Sequence, residues 1–461
     1  LEAAQAGGNL PGPYAFGIYR CKTWSVATNK PAFTPYRGVA RPGVCFAMEL
    51  TIDAIARAVG REPSEVRKDN LVPADKMPFT NVTRKFYDSG DYPDSVVQAE
   101  TAIDLIGFRE RQTAARAEGR HLGIGFATFT EQSAHGTKVF AAWGLPLVPG
   151  YEQAMVKITP SGSVEVRSGN HSFGQGLETT LAQVASEWLT VDITRINVTM
   201  GDTGLTPYST GAYASRGMVM AGGAVSKAAE VLAGRVKIHA AHLLQCQPAD
   251  IRLSDGKAFF GEAHVGFDDI ARAWYLRPDQ LPDGVDTTGL EVTEGYKPDI
   301  DTGVFSYSTH AAIVAVDTDT GQVEIEDYFI FDDCGRRVNP LILEGQAYGG
   351  AAQGVGTALF EEVIYDANGQ PLTSTLADYT LPGPAELPRF RLGHAETLSP
   401  YTRHGIKGVG EGAAIAPGGA LINAVNDALS PFQVELTSVP ATPEKILGAL
   451  LAAEARREAA A

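Results

Sequence analysis

Four short stretches constrain this chain more than any other feature. Each sets a polar residue among glycines in or just before a helical pattern. They are S-G-N-H-S-F-G-Q-G-L at 168–177, T-G-A-Y-A-S-R-G at 210–217, Y-G-G-A-A-Q-G-V-G at 348–356 and K-G-V-G-E-G at 407–412. Glycine at a helix start lets backbone N–H groups face an anion or an oxo group. Glycine inside a helix costs about 1 kcal/mol relative to alanine. Gly349, Gly350, Gly354 and Gly356 therefore need a reason, either close packing or close approach of a ligand. The chain holds 50 glycines in 461 residues, above the usual share of about 7%. None of the four stretches is a P-loop or a complete G-x-G-x-x-G. Taken singly, each could be a turn or a tight helix contact.

Composition narrows the partners. The net charge of −16 argues against nucleic acid and anionic membranes. No apolar run approaches the roughly 18 residues of a membrane span. The four cysteines, Cys21, Cys45, Cys246 and Cys334, are too scattered for a zinc site, an iron–sulfur cluster or a disulfide framework. No metal-ligating set of side chains is expected. The opening L-E-A-A-Q-A-G-G lacks the basic and apolar regions of a signal peptide, and it reads as the middle of something longer.

At roughly 100–200 residues per domain, two to four domains or subdomains are expected. Residues 1–43 read as loop. Helical spacing begins near Val44 and stops at Gly60, and a short helix follows from Pro63. A single amphipathic helix is predicted from Asp94 to about Arg116. Residues 121–150 change character, which places a soft boundary between 1–150 and 151–461. Beyond it, strands are predicted at 151–160 and 163–169 around a turn at Pro160–Gly162, then a helix at 177–189 and a strand at 196–202. A long helix over Arg216–Leu244 comes next, then an irregular stretch at 245–300. Strands follow at 304–317 and 322–333, then helices at about 340–360, 413–429 and the C-terminus.

Taken in order with T-N-K-P-A-F-T-P-Y-R-G-V-A-R-P-G at 28–43 and D-D-C-G-R-R-V-N-P at 332–340, the four stretches resemble the xanthine oxidase family of molybdenum hydroxylases. The likeness is to the C-terminal part of the molybdopterin-binding large subunit, and it covers nearly the whole chain. It implies an α+β fold of mixed sheets flanked by helices, with 1–150 ending a first cofactor-binding region and 151–461 forming a second. It also implies a cofactor held through a pyranopterin dithiolene rather than by side chains, in the cytosine dinucleotide form. Such a cofactor carries the redox chemistry while the protein positions it.

The resemblance assigns roles. Glu411, in G-E-G, matches the base for hydroxylation of an aldehyde or N-heterocycle carbon with water as oxygen source. Gln175, between Gly174 and Gly176, and Gln353 match pterin contacts. Arg37 matches the loop over the metal, and Ser215 the loop around the pterin and its phosphate end. Gly410 frames the base. Lys407 either orients the Glu411 loop or is a solvated charge. His171 and His404 read as surface or supporting residues, and Cys334 as part of a turn. Phe129, Phe140, Trp143 and Leu145 could form an apolar funnel wall or simple packing. A-R-P-G stands where relatives often have G-R-P-E, which puts substrate contacts near Arg41 and Gly43 in doubt.

Relatives carry several hundred residues before the matched region, so the resemblance implies partners. A second polypeptide would bring the N-terminal half of the large subunit, with an iron–sulfur subunit bearing [2Fe–2S] clusters and an FAD subunit. The whole would be a dimer of heteromers in a bacterial cytoplasm, acting on a small molecule. A scaffold or fragment of the same fold without cofactor is the alternative.

Overall fold

The computed structural model describes residues 2–460 apart from 33, 282 and 284–288. Leu1 of the opening stretch and Phe33 of the stretch at 28–43 lie outside the described residues. Eight strands build two four-stranded sheets: β1 (His121–Ser133), β2 (Glu152–Ile158), β3 (Val164–Ser168), β4 (Ile196–Met200), β5 (Glu291–Tyr296), β6 (Val304–Val316), β7 (Val323–Asp333) and β8 (Phe390–Ala395). The first sheet runs β8-β7-β6-β1 and the second β5-β2-β3-β4. Each mixes two antiparallel pairings with one parallel pairing, β7 with β8 and β3 with β4. Six helices contribute to the cores and the site: α1 (Arg41–Val59), α2 (Pro63–Asn70), α3 (Leu177–Leu189), α4 (Gly223–Leu244), α5 (Pro340–Leu359) and α6 (Pro417–Ala428). The architecture is α+β, with mixed sheets flanked by helices. Among the described residues no helix is long and apolar enough to cross a membrane.

The first sheet is covered on both faces. Ala127, Phe129, Ala312 and Val314 share a core with residues of α5 and α6. Their neighbours Ile124, Phe126, Ala311 and Ile313 pack on the opposite face against Ala99, Ile103 and Phe108. Alternation of side chains across the pleat feeds two cores at once. Gly123 and Gly125 of β1 let the backbone of α6 press onto the sheet. A Cβ at Gly125 would lie 2.1 Å from the carbonyl oxygen of Ala420, and one at Gly123 would lie 2.0 Å from that of Ala424. Gly125→Ala is therefore expected to destabilise by at least about 1–3 kcal/mol, the usual cost of overpacking. Gly448→Ala, in the helix Pro443–Ala460 with nothing within 4 Å of the new methyl, is expected to gain up to about 1 kcal/mol. Denaturant midpoints of the two variants check both signs.

In the second sheet α3 and α4 supply the apolar cover. The β2–β3 hairpin turns through Gly162 at φ 78°. The crossover from β3 through α3 to β4 returns parallel and sets F-G-Q-G at the start of α3.

Several elements differ from expectation. Helix Glu2–Asn9 forms where loop was expected. The helix predicted from Asp94 is two, Tyr92–Ala102 and Leu105–Ala117. Asp104 breaks it by taking φ 48° and capping the second helix through the Gly107 N–H. The irregular stretch at 245–300 contains a three-stranded meander, Arg252–Ser254, Lys257–Phe260 and Ala263–Gly266, then helix Phe267–Leu276 and β5. Asp255-Gly256 is its two-residue turn, a strong hairpin signal that the polar composition masked. β1 and β8 were not expected as strands. The helix predicted from Ala413 starts at Pro417, after a 3-10 turn at Gly412–Ala414. The first turns of the long helix, Gly217–Gly222, are π-helical.

Candidate active site

The glycine-framed stretches meet at one cleft of about 680 Å³. Arg37, Gly174, Gln175, Ser215, Gln353, Gly410 and Glu411 all line it. Gly176 does not. It starts α3 at φ 74°, where a Cβ would meet Ile342 at 2.6 Å. The helix glycines are explained mainly by packing. A Cβ would lie 2.9 Å from Ala413 at Gly350, 2.4 Å from Pro417 at Gly354 and 1.9 Å from the Glu361 carboxylate at Gly356. Gly349 is less crowded, with Arg37 Nη1 at 3.7 Å.

Arg37 fastens two walls together. Its Nε donates to the Gly410 carbonyl at 2.6 Å, and Nη1 to Gln353 Oε1 at 3.1 Å. Its Nη2 reaches the Gln346 carbonyl and side chain at 3.1 and 2.9 Å. The planar guanidinium thus joins α5 to the Glu411 loop, a geometry an ammonium cannot copy. Gln175 is held within its own loop. Its Oε1 accepts from the Phe173 N–H at 2.7 Å, and its Nε2 donates to the His171 carbonyl at 3.0 Å.

Glu411 stands at the cleft with its side chain 16% exposed. Arg41 Nη1 pairs with Oε2 at 3.2 Å, and Arg41 Nη2 donates to the Gln132 carbonyl at 2.8 Å. No partner holds Oε1 among the described residues. Arg41 is itself buried behind the base. The A-R-P-G departure falls at Ala40, the N-cap of α1, and at Gly43 in its first turn. The Glu411 N–H donates to Ser215 Oγ at 3.0 Å. Ala214 and Ser215 both take φ 50°, a strained pairing for residues with side chains.

The sequence reading missed Glu131 of β1. It is fully buried and accepts from Ser215 Oγ and, at 3.4 Å, from Ser306 Oγ. Burial, with Glu411 close by, pushes its carboxyl up to about 7 against the opposing pull of Arg41. A carboxylate in the apolar run L-G-I-G-F-A-T-F-T-E-Q-S was the available signal, since a buried charge needs partners. An acid raised from 4.5 to about 7 takes up a proton on folding. Its stabilising contribution is full below pH 4.5 and is lost as pH rises through about 7. Glu131→Gln is expected to flatten that fall in unfolding temperature between pH 5 and 8, relative to the wild type. Buried Asp332, raised to about 7 chiefly by burial and Asp333, keeps part of the slope in both proteins.

The remaining candidates separate clearly. Lys407 is 2% exposed, lies over the Tyr307 ring at 5.9 Å and donates to the Ser89 carbonyl at 3.4 Å, so it is not a solvated charge. His404 Nε2 bonds Ser226 Oγ at 2.7 Å. The His171 ring lies under Gly211, where a Cβ would approach it to 2.8 Å. Burial pushes the Cys334 thiol well up, which leaves it protonated. Phe129 and Phe140 are buried, Phe140 against His135, Trp143 and Tyr213, and neither they nor Trp143 and Leu145 line the cleft.

Comparison with known proteins gives the class. Two models, each described as a molybdopterin cofactor-binding domain, match residues 98–388 and 2–71. The chain is 38% identical over 425 residues to the nicotine 6-hydroxylase large subunit of Paenarthrobacter nicotinovorans, covering 92% of this chain and 51% of that one. It is 31% identical to the carbon monoxide dehydrogenase large chain of Hydrogenophaga pseudoflava, covering 94% and 54%. The solved quinoline 2-oxidoreductase from Pseudomonas putida 86 superposes with a TM-score of 0.91 at 38% identity, over 98% of this chain and 57% of that one. The chain belongs to the xanthine oxidase family, within its molybdopterin-binding large subunit. It spans about half the length of the curated relatives it matches.

Proposed function

We propose that this chain supplies one half of the active site of a molybdenum hydroxylase that oxidises a ring carbon of an N-heteroaromatic compound. The observation that carries the reading is a carboxylate, Glu411, standing in a glycine-edged cleft together with Arg37, Gln175, Ser215 and Gln353. The ring substrate is favoured because two relatives at 38% identity are named for nicotine and quinoline.

The residues present fit a molybdenum–pyranopterin extended by a diphosphate, which we take to be the cytosine dinucleotide form. The cleft is roomy, and an added Cβ at Gly174 would meet nothing within 4 Å. Arg336, exposed on the cleft wall, offers a cation to a diphosphate. Gln175 and Gln353 would hold the pterin edge, with Ser215 beside its phosphate end and Arg37 fixing the loop across the metal. The group supplies two-electron oxidation, with water as the source of oxygen. Glu411 accepts the proton of the incoming oxygen nucleophile on Oε1, while Arg41 holds Oε2 and sets the carboxylate's aim. The residues that complete the site come from the sequence relatives carry beyond the matched half. Electrons leave through [2Fe–2S] and FAD subunits, in a dimer of heteromers in a bacterial cytoplasm.

The test is turnover by the natively purified complex with quinoline, nicotine, benzaldehyde and xanthine, using an artificial dye as acceptor and isotopically labelled water. The expected result is a ring-hydroxylated quinoline or nicotine carrying the water label. Oxidation of benzaldehyde or xanthine alone overturns the ring assignment.

A further inference from the structure

Glu131 has no part in the chemistry so far, yet it lies directly behind the site. We propose that Glu131 is a positioning residue for Glu411, acting through the Ser215 hydroxyl. This rests on Glu411 being the base.

The link has two bonds. Ser215 Oγ donates to Glu131 Oε1 and accepts the Glu411 N–H at 3.0 Å. A carboxylate offers only lone pairs, so it turns the hydroxyl proton toward itself and leaves the oxygen's lone pairs to the Glu411 amide. The bond ends on the amide and not on the Glu411 carboxylate. Glu131 therefore fixes the backbone of the base and leaves its carboxylate free in the cleft.

The glycines of K-G-V-G-E-G record the same contact. At Gly412 a Cβ would lie 3.1 Å from Glu131 Oε2 and 3.4 Å from the Phe129 ring. At Gly408 it would lie 2.5 Å from the Ser215 carbonyl oxygen, and at Gly410 3.2 Å from Ser215 Oγ. The loop is glycine-rich because the Ser215 loop and the Glu131 carboxylate press against it. Each loop holds the other, which explains how Ala214 and Ser215 keep their left-handed conformations. The charged groups facing Glu131 are Arg41 from α1, Arg37 from the preceding loop, Glu411 itself and Asp332 from β7. Two cations thus stand beside three carboxyl groups, which leaves one carboxyl without a matching cation; a neutral Glu131 still offers its carbonyl oxygen to the Ser215 hydroxyl, so the link does not require the charge.

The direct readout is hydrogen exchange of the Glu411 amide, followed by mass spectrometry on the peptide covering 407–412 of the native complex. Glu131→Ala and Ser215→Ala are each expected to speed it about tenfold or more, while amides of β5 keep wild-type protection. Glu131→Gln keeps an acceptor for the hydroxyl and recovers most of the protection. In turnover of quinoline, Glu131→Ala and Ser215→Ala are each expected to lower kcat about tenfold with KM within about twofold. The double variant should be no worse than either single one, as required of two residues in one link. Unchanged Glu411 exchange in Glu131→Ala overturns the proposal, as do additive losses in the double variant. If Glu131→Ala fails to fold, exchange in Ser215→Ala and Glu131→Gln decides alone. The exchange arm reads the link whether or not Glu411 is the base. A response there, with activity surviving Glu411→Gln, would therefore fault the base assignment and not the contact.

Discussion

Glu411→Gln is expected to lower turnover by about 10²–10⁴-fold, the usual contribution of a positioned general base, while molybdenum and nucleotide stay bound. The substitution changes little else. The hydrogen bond to Ser215 uses the Glu411 backbone N–H, so the loop keeps its anchor. Arg37 holds the Gly410 carbonyl and not the side chain. Arg41 loses an anionic partner but keeps the Gln132 and Gly38 carbonyls. A fall in kcat at unchanged molybdenum content therefore reports lost proton transfer. Activity within tenfold of the wild type would remove Glu411 from the role of base.

The largest effect on stability is expected at Arg67. It is fully buried on α2, with Nε 2.8 Å from Glu49 Oε2 and Nη1 2.6 Å from Asp53 Oδ1. Nη2 also donates to the Glu49 and Phe126 carbonyls at 3.2 and 2.9 Å. Glu49 in turn accepts from the Tyr14 hydroxyl at 2.7 Å and from the Thr128 N–H at 3.1 Å. This network pins α1, which carries Arg41, to β1, which carries Glu131. Burial disfavours the Arg67 charge, but Asp53 and Glu49 outweigh it and raise its pKa. Arg67→Met keeps the bulk and strands two buried carboxylates. The expected loss is about 3–5 kcal/mol, as when one partner of a buried pair is removed. Burial already pushes Glu49 and Asp53 up, and without Arg67 they rise further. Their protonated forms then fit the folded state, so the loss is smaller at acid pH and grows as pH rises. Denaturant unfolding at pH 5 and pH 8 checks both size and trend. A change below about 1 kcal/mol at pH 8 would show the network to be dispensable.

Much of the fold was legible where pattern and punctuation agreed. α3 runs over Leu177–Leu189, the stretch its spacing marks, and Gly60 ends α1 in the left-handed cap expected of it. β1 was hidden because both of its faces are buried. It has no polar alternation, and its glycines look like loop residues until α6 is placed on them. The break at Asp104 has no glycine or proline to announce it. At the site, ordered motifs marked Glu411, Gln175 and Ser215, because glycine beside one polar residue is visible in one dimension. Glu131 lies 280 residues from Glu411 in sequence, and its partners are contributed by loops that only the fold brings together. Arg41 stood beside a departure from the family pattern, so the sequence directed attention to substrate rather than to its ion pair with Glu411.

Metal and nucleotide analysis of the natively purified complex, with each co-purifying chain identified by mass, tests the central claim most directly. Near-stoichiometric molybdenum, cytidine monophosphate released on hydrolysis, and partner chains bearing iron and flavin are the expected result. A pure, folded complex of this chain with neither molybdenum nor cytidine nucleotide would contradict it and leave a scaffold of the same fold.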